Sequence, residues 1–285
     1  MTQPYYRDYP LADGVISARV WARPGAPVLV FAHANGFCAS AYIQMLEPLA
    51  DQFEIIAPDL RGHGRTRLPA DPDSHRDWTV YGRDLAALYA QLPVAPSVLA
   101  GHSMGAVCSL LAAASLPIQP RLALIEPVIL PLPLALLARW PGRNLMRGRI
   151  PLAGQARRRA NGWPDREAAL ERYSRHKAFA RWAPGVLEDW LADGLIESAG
   201  QVRLACDPAW EAANYEAQGH DVLSAARQVG HRTRILRAEH GSTVVSTSGL
   251  VRRGCQVEKL SGVGHLAPME APGRVSEWLS QAALA

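Results

Sequence analysis

The chain has 285 residues, 48% hydrophobic and 20% charged. This is an ordinary globular composition, long enough for a large core, and it excludes disorder and a collagen-like repeat. Thirty Lys and Arg against 26 Asp and Glu leave a net charge of +4, too weak to argue for a nucleic-acid partner.

Four separated cysteines, Cys38, Cys108, Cys206 and Cys255, form no CxxC and no Cys/His metal spacing. They read as free thiols of a reducing compartment, not as a disulfide scaffold. No basic stretch followed by an apolar run opens the chain, so no signal peptide is expected. The turn-forming Pro24-Gly25-Ala26-Pro27 precedes an apolar run over 28–33 of the buried-strand type. A helix is predicted over 42–52 and a strand over 54–58. The next helix, 79–92, places Leu85, Leu88, Tyr89 and Leu92 on one face. A strand over 97–100, an Ala- and Leu-rich helix over 104–115 and a strand over 122–125 follow. Nearly all-apolar strands alternating with helices imply a parallel sheet covered on both faces.

After Glu126 the pattern changes. Residues 127–133 hold three prolines, and the stretch beyond reads as helical, basic and aromatic. Five of the eight tryptophans (Trp140, Trp163, Trp182, Trp190 and Trp210) fall between 127 and 220. Residues 127–181 carry twelve Arg and Lys against three Asp and Glu. The alternation resumes with strands over 233–237 and 256–260 and a last helix over 273–283. One α/β domain, residues 1–126 and 221–285, is thus interrupted by a helical insertion at 127–220. The apolar run over 127–138 is too short and too rich in proline to span a bilayer, and the final Ala-Ala-Leu-Ala carries no lipidation signal. A soluble cytoplasmic protein is expected.

The strongest chemical signal is Gly101-His102-Ser103-Met104-Gly105, where an apolar strand meets a helix. A serine exposed on so tight a turn needs small residues two positions away on both sides. The turn puts Ser103 at a helix N-terminus, where developing negative charge is favoured, and aims the Met104 N–H at an oxyanion. His33-Ala34-Asn35-Gly36 follows a buried strand, where a second donor is needed, and Asn35 fits by its backbone N–H or its side chain. Asp59-Leu60-Arg61-Gly62-His63-Gly64 follows another strand. Gly262-Val263-Gly264-His265 stands near the C-terminus. No GxGxxG and no GKS or GKT occurs, which argues against a nucleotide.

Together these segments resemble the α/β-hydrolase superfamily, over almost the whole chain. The resemblance implies a mostly parallel sheet with helices on both faces and a helical cap, the insertion, over the site. It implies an oxyanion hole at the His33 segment, a structural loop at 59–64, a nucleophile at Ser103 and a general base at His265. Two departures stand out. Ala34 replaces the usual glycine, and Gly241 occupies the position after the seventh strand where most members carry the acid. Some members place the acid after the sixth strand, where Glu126 stands; Glu239 is the alternative. The expected reaction is hydrolysis of a carboxylic ester through an acyl-enzyme, without metal or organic cofactor. The partner would be a small ester or acyl compound with an apolar part. Thioester hydrolysis, acyl transfer, carbon–carbon bond hydrolysis and perhydrolysis use the same machinery. Epoxide hydrolases and haloalkane dehalogenases resemble it with an aspartate in place of Ser103, and a small-molecule receptor keeps only the pocket. His33, His63 and His102 read as structural, Asp59 as a turn residue and Cys38 as an apolar filler. The tryptophans read as core of the cap or as pocket lining. The run Arg157-Arg158-Arg159 reads as a solvated helix face or as an attraction for an anionic substrate or membrane surface.

Overall fold

In a computed structural model that describes residues 3–117, 119–139 and 150–284, eight strands form one sheet in the order β1-β2-β4-β3-β5-β6-β9-β10. The strands β1 (Tyr5–Leu11) and β2 (Gly14–Trp21) make an antiparallel hairpin, and β2 runs antiparallel to β4 (Glu54–Pro58). From β4 the pairing is parallel, through β3 (Val28–Ala32), β5 (Val98–His102), β6 (Arg121–Ile125), β9 (Thr233–Ala238) and β10 (Gln256–Leu260). Every residue of β3 and β5 is buried, because helices cover both faces of a parallel sheet.

Alternate residues of each strand face opposite layers. On one side α2 (Thr79–Tyr89), α3 (Met104–Ser115) and α9 (Val222–Val229) bring Leu85, Val107 and Ala226 into a core with Val30, Leu99 and Ile235. On the other, α1 (Ile43–Leu46) and α12 (Pro272–Leu284) bring Met45 and Leu279 into a core with Leu29, Phe31 and Ala100. Each Leu, Ile, Val, Phe or Met among them contributes roughly 1.5–3 kcal/mol by leaving water. The edge strand β1 buries only Tyr9, so the two layers hold the sheet and β1 merely borders it. Two short helices, α10 (Ser248–Val251) and α11 (Ala267–Glu270), flank β10.

Three local expectations are corrected. The β1–β2 hairpin was not foreseen, because its outer strand is polar and exposed. The helix expected over 42–52 is broken into a 3₁₀ turn (Ala39–Tyr42), α1 and a second 3₁₀ turn (Glu47–Asp51); Pro48 has no N–H to continue one helix through. The stretch 127–220 is not all helical. It carries α4 (Leu132–Arg139), α5 (Pro151–Arg157), α6 (Arg166–Ser174), α7 (Val186–Gly194) and α8 (Pro208–Glu216), but also a hairpin of β7 (Leu195–Ser198) and β8 (Gln201–Leu204). Its two-residue turn has φ 51° at Ala199 and 77° at Gly200, the left-handed geometry that matches strand twist. Helix α7 packs on the Ala39–Tyr42 turn, and α8 packs on α5.

Candidate active site

Ser103 sits between the end of β5 and the start of α3 with φ 55° and ψ −115°, a backbone conformation that costs about 1–3 kcal/mol unless its surroundings enforce it. The flanking glycines show how they do. A Cβ on Gly101 would lie 2.6 Å from the backbone of Gly105, and one on Gly105 would lie 2.2 Å from the Ala32 carbonyl oxygen. The Ser103 N–H donates to the Ile125 carbonyl at 2.9 Å, tying the turn to β6.

The structure brings Ser103, His265 and Glu126 together. His265 Nε2 lies 3.0 Å from Ser103 Oγ, and His265 Nδ1 lies 3.0 Å from Glu126 Oε2. Glu126 directly follows β6, also at positive φ (50°). Its carboxylate is buried and accepts three further hydrogen bonds, from Ala238 N–H (2.6 Å), Ser242 Oγ (2.6 Å) and Thr243 N–H (3.0 Å). Burial pushes its pKa upward, but the hydrogen bonds from His265, Ser242, Ala238 and Thr243 outweigh it and hold the group at about 2. Hydrogen bonds to charged groups are worth about 1.5–3 kcal/mol each, enough together to overcome the desolvation. Glu239 does not enter this arrangement. Its carboxylate faces outward, pairs with Lys259 at 2.6 Å and accepts the Gly262 N–H at 2.9 Å.

The histidines read as structural have defined tasks. His102 Nε2–H donates to the His265 carbonyl at 2.8 Å, and its Nδ1 accepts from Tyr42 Oη at 2.8 Å. Burial draws its pKa down to about 3, so a neutral ring holds the His265 backbone in place. His33 Nδ1–H donates to the Ala34 carbonyl and its Nε2 accepts from Leu60 N–H, both at 2.8 Å. His63 Nδ1–H donates to Arg61 O at 2.9 Å and its Nε2 accepts from Gly36 N–H at 3.1 Å. These rings weld the loops after β3 and β4. Asp59 takes the Ala39 and Arg65 N–H groups at 2.8 Å each and supports the same loops; burial, against those bonds, raises its pKa to about 7. Cys38 is buried, with its thiol pKa pushed up by desolvation.

Asn35 and Met104 both border the cavity at Ser103 and His265. Met104 opens α3, whose first N–H groups have no intrahelical acceptor. The Asn35 side chain is otherwise engaged. Its Nδ2 donates to the Glu211 carbonyl at 3.0 Å, and its Oδ1 accepts from Asn214 Nδ2 at 2.9 Å. Asn214 in turn accepts from Tyr81 Oη at 2.6 Å through its side chain and from Trp78 Nε1 at 3.1 Å through its carbonyl. Helix α8 therefore grips the loop after β3 and the helix α2 behind it. Nothing in the local pattern around Asn214 marks it, since its partner lies 179 positions away.

The cavity measures about 630 Å³ and is mostly apolar. Phe37, Val128, Ile129, Leu134, Leu137 and Leu152 are among its walls. Of the tryptophans singled out, Trp163, Trp182, Trp190 and Trp210 are not wall residues. Trp182 and Trp190 belong to an aromatic cluster with Phe37, Tyr173 and Phe179, and Trp210 donates to Arg61 O at 2.9 Å. Trp140 lies outside the described residues. Among the described residues, the tryptophan that does line the cavity is Trp78, just before α2. The arginine run is not simply a solvated face either. Arg157 pairs with Glu216 through both terminal nitrogens, and Arg159 pairs with Glu211 and with Tyr173 Oη. Among the described residues, no group of three or more His, Cys, Asp or Glu could hold a metal ion, and no helix is long and apolar enough to cross a membrane.

A strand–serine–helix turn, a histidine after the last strand and a carboxylate after β6, on this sheet order, define an α/β-hydrolase fold with a Ser-His-Glu constellation. The profile of the alpha/beta hydrolase family matches residues 29–278, and the chain belongs to that family. It is 34% identical over 103 residues to an epoxide hydrolase of Caballeronia sordidicola and 33% identical over 104 residues to a 2-(acetamidomethylene)succinate hydrolase of Mesorhizobium japonicum. These matches cover 35% and 36% of this chain but only 30% and 36% of the relatives, so about a third of either curated protein is spanned. The crystal structure of an E-2-(acetamidomethylene)succinate hydrolase superposes with a TM-score of 0.79 over 99% of this chain and 100% of that one, at 20% identity. The fold is shared, and these relatives are hydrolases by name.

Proposed function

We propose that the protein is a serine hydrolase of carboxylic esters that works through an acyl-enzyme on Ser103. The observation that carries this reading is the continuous hydrogen-bonded relay from Ser103 Oγ through His265 to Glu126, at 3.0 Å on both sides of the ring. In the forward step His265 Nε2 takes the Ser103 proton as Oγ attacks the ester carbonyl. Glu126 fixes the ring through Nδ1–H and stabilises the imidazolium that forms. The oxyanion is received by the backbone N–H groups of Asn35 and Met104. His265 then protonates the departing alcohol, and a water activated by the same ring releases the acid. The engagement of the Asn35 side chain with Glu211 and Asn214 supports its backbone, not its amide, as the donor.

Residues 127–220 act as a cap, and the apolar cavity beneath them supports a substrate with an apolar acyl or alcohol part. One relative is called an epoxide hydrolase, but position 103 holds serine, and a serine ester intermediate requires a carbonyl substrate. The test is hydrolysis of p-nitrophenyl esters of increasing acyl length by wild type and Ser103→Ala. Turnover lost in the variant, with a fluorophosphonate probe labelling only wild type, supports the reading. Unchanged turnover in Ser103→Ala would overturn it.

A further inference from the structure

Beside the main cavity lies a smaller one of about 60 Å³, and the two share Val128, Ile129, Leu130 and Gln218 in their walls. Two polar atoms here are buried without a hydrogen-bond partner: Oε1 of Gln218, and Nδ1 of His220, which lines the smaller cavity. His220 is 7% exposed and stacks on Trp78 with ring centroids 4.6 Å apart, and Trp78 lines the main cavity. Burial draws the His220 pKa down to about 4 against the pull of Asp77 and Asp221, so the ring is neutral at neutral pH. Buried polar atoms are ordinarily satisfied, and in an apolar ligand cavity the few convergent polar groups fix the ligand's orientation and identity. Among the described residues, the charged wall residues at this end are acidic. Glu216 lines the main cavity and pairs with Arg157, while Asp221 lines the smaller one and accepts the Ser224 N–H. With Glu216 already paired to Arg157, neither carboxylate offers a partner to a further anion.

We propose that Gln218 and His220 form a polar subsite that receives a neutral hydrogen-bond donor, a hydroxyl or primary amide, carried by the substrate away from its scissile carbonyl. The placement of that group relative to the reacting centre rests on the ester-hydrolase reading above. Gln218 Oε1 accepts the hydrogen; His220 Nδ1 accepts the second N–H of an amide or, in the Nδ1–H tautomer, donates to the oxygen of a hydroxyl. A plain alkyl chain entering the same space leaves both atoms dry and unpaired. A site built to bond a substrate hydroxyl rejects the analogue lacking it far more strongly than an apolar pocket rejects a missing methylene.

The test compares kcat/KM for p-nitrophenyl alkanoates and their ω-hydroxy counterparts, from butanoyl to decanoyl, with wild type, Gln218→Leu and His220→Phe. The phenylalanine keeps an aromatic ring to stack on Trp78 and removes both ring nitrogens, Nδ1 among them. Wild type is expected to prefer the hydroxylated ester by roughly tenfold or more at one chain length, and both variants to lose that preference. The melting temperature of Gln218→Leu should equal or exceed that of wild type, because the variant removes an acceptor that has no partner; a lowered one, with preference lost, would mean a disturbed cavity and would count against the assignment. The same question is asked without catalysis by calorimetric titration of Ser103→Ala with α,ω-alkanediols and 1-alkanols. Tighter binding of the diol, abolished by adding Gln218→Leu, supports the subsite even if no ester is turned over, in which case only the ester reading falls. An equal hydroxyl preference in all three proteins, or none in wild type at any length, overturns it.

Discussion

In the proposed mechanism Glu126 carries the greatest chemical burden of any single side chain outside the serine and the ring that faces it. Replacing it with glutamine keeps its shape but offers His265 the wrong partner and loses the charge that stabilises an imidazolium. Glu126→Gln is expected to lower kcat by roughly 10²–10⁴-fold, measured on the best p-nitrophenyl ester. Glu239→Gln, which loses only an outward pair with Lys259, should change kcat less than about twofold. The same carboxylate predicts a pH signature. Its folded pKa of about 2 lies below the ordinary 4.5, so its ionised contacts stabilise the fold fully above pH 4.5, and that contribution fades as pH falls toward 2. Urea unfolding should therefore show wild type more stable than Glu126→Gln at pH 7, with the gap closing between pH 4.5 and 2. A gap that widens on acidification would contradict the assignment. Ser103, His265 and Glu126 were all legible as candidates in the sequence. Each stands in a local pattern: two glycines around a serine, glycines before a histidine, and a carboxylate directly behind an apolar strand. The choice between Glu126 and Glu239 was not legible, since it depends on which one the loop after β9 folds over.

Among elements, α8 has the most to say about the reacting centre without belonging to the sheet. Its Asn214 holds the Asn35 side chain at one end and Tyr81 of α2 at the other. Cutting that link lets the loop after β3 relax, and an oxyanion donor displaced by a fraction of an ångström loses much of its effect. Asn214→Ala is expected to lower kcat about tenfold to a hundredfold with little change in KM, in a protein that still shows cooperative unfolding. Equal loss in both parameters would assign Asn214 to substrate binding instead. This link was invisible in the sequence for the same reason as the β1–β2 hairpin. Local pattern finds elements whose own residues alternate or repeat, whereas Asn214 and the polar strand β1 take their meaning from partners elsewhere. The buried runs of β3, β5 and β6 were found easily, because burial on both faces leaves them almost wholly apolar.

At the scale of the molecule, the sheet presents Ser103 and Glu126 just beyond the ends of parallel strands, and in the proposed reading the helices of 127–220 roof the space above them. Leu134, Leu137 and Leu152 line the cavity yet remain 52%, 42% and 53% exposed, so they form a mouth and not a core. A charge placed there should select by length. Leu134→Glu is expected to reduce kcat/KM for long-chain esters by roughly tenfold, equivalent to about 1.4 kcal/mol, while leaving acetyl esters nearly unchanged. A uniform loss across lengths would place Leu134 outside the substrate's path. The composition of 127–181 pointed to a basic surface, but Arg157 and Arg159 are bound to Glu216 and Glu211. Charge counts along a chain do not reveal which charges pair.

The last residue of β9 supplies Ala238 N–H, and the loop after it supplies Ser242 Oγ and Thr243 N–H, to a carboxylate that neither carries. Substitutions or length changes in that loop therefore alter how tightly Glu126 is held, by one donor at a time, and never remove it. Such a loop can drift in small steps, each changing by degrees how firmly the Glu126 carboxylate is held. A loop that bore the acid would have no such latitude, since each change at the critical position would leave the enzyme either intact or dead.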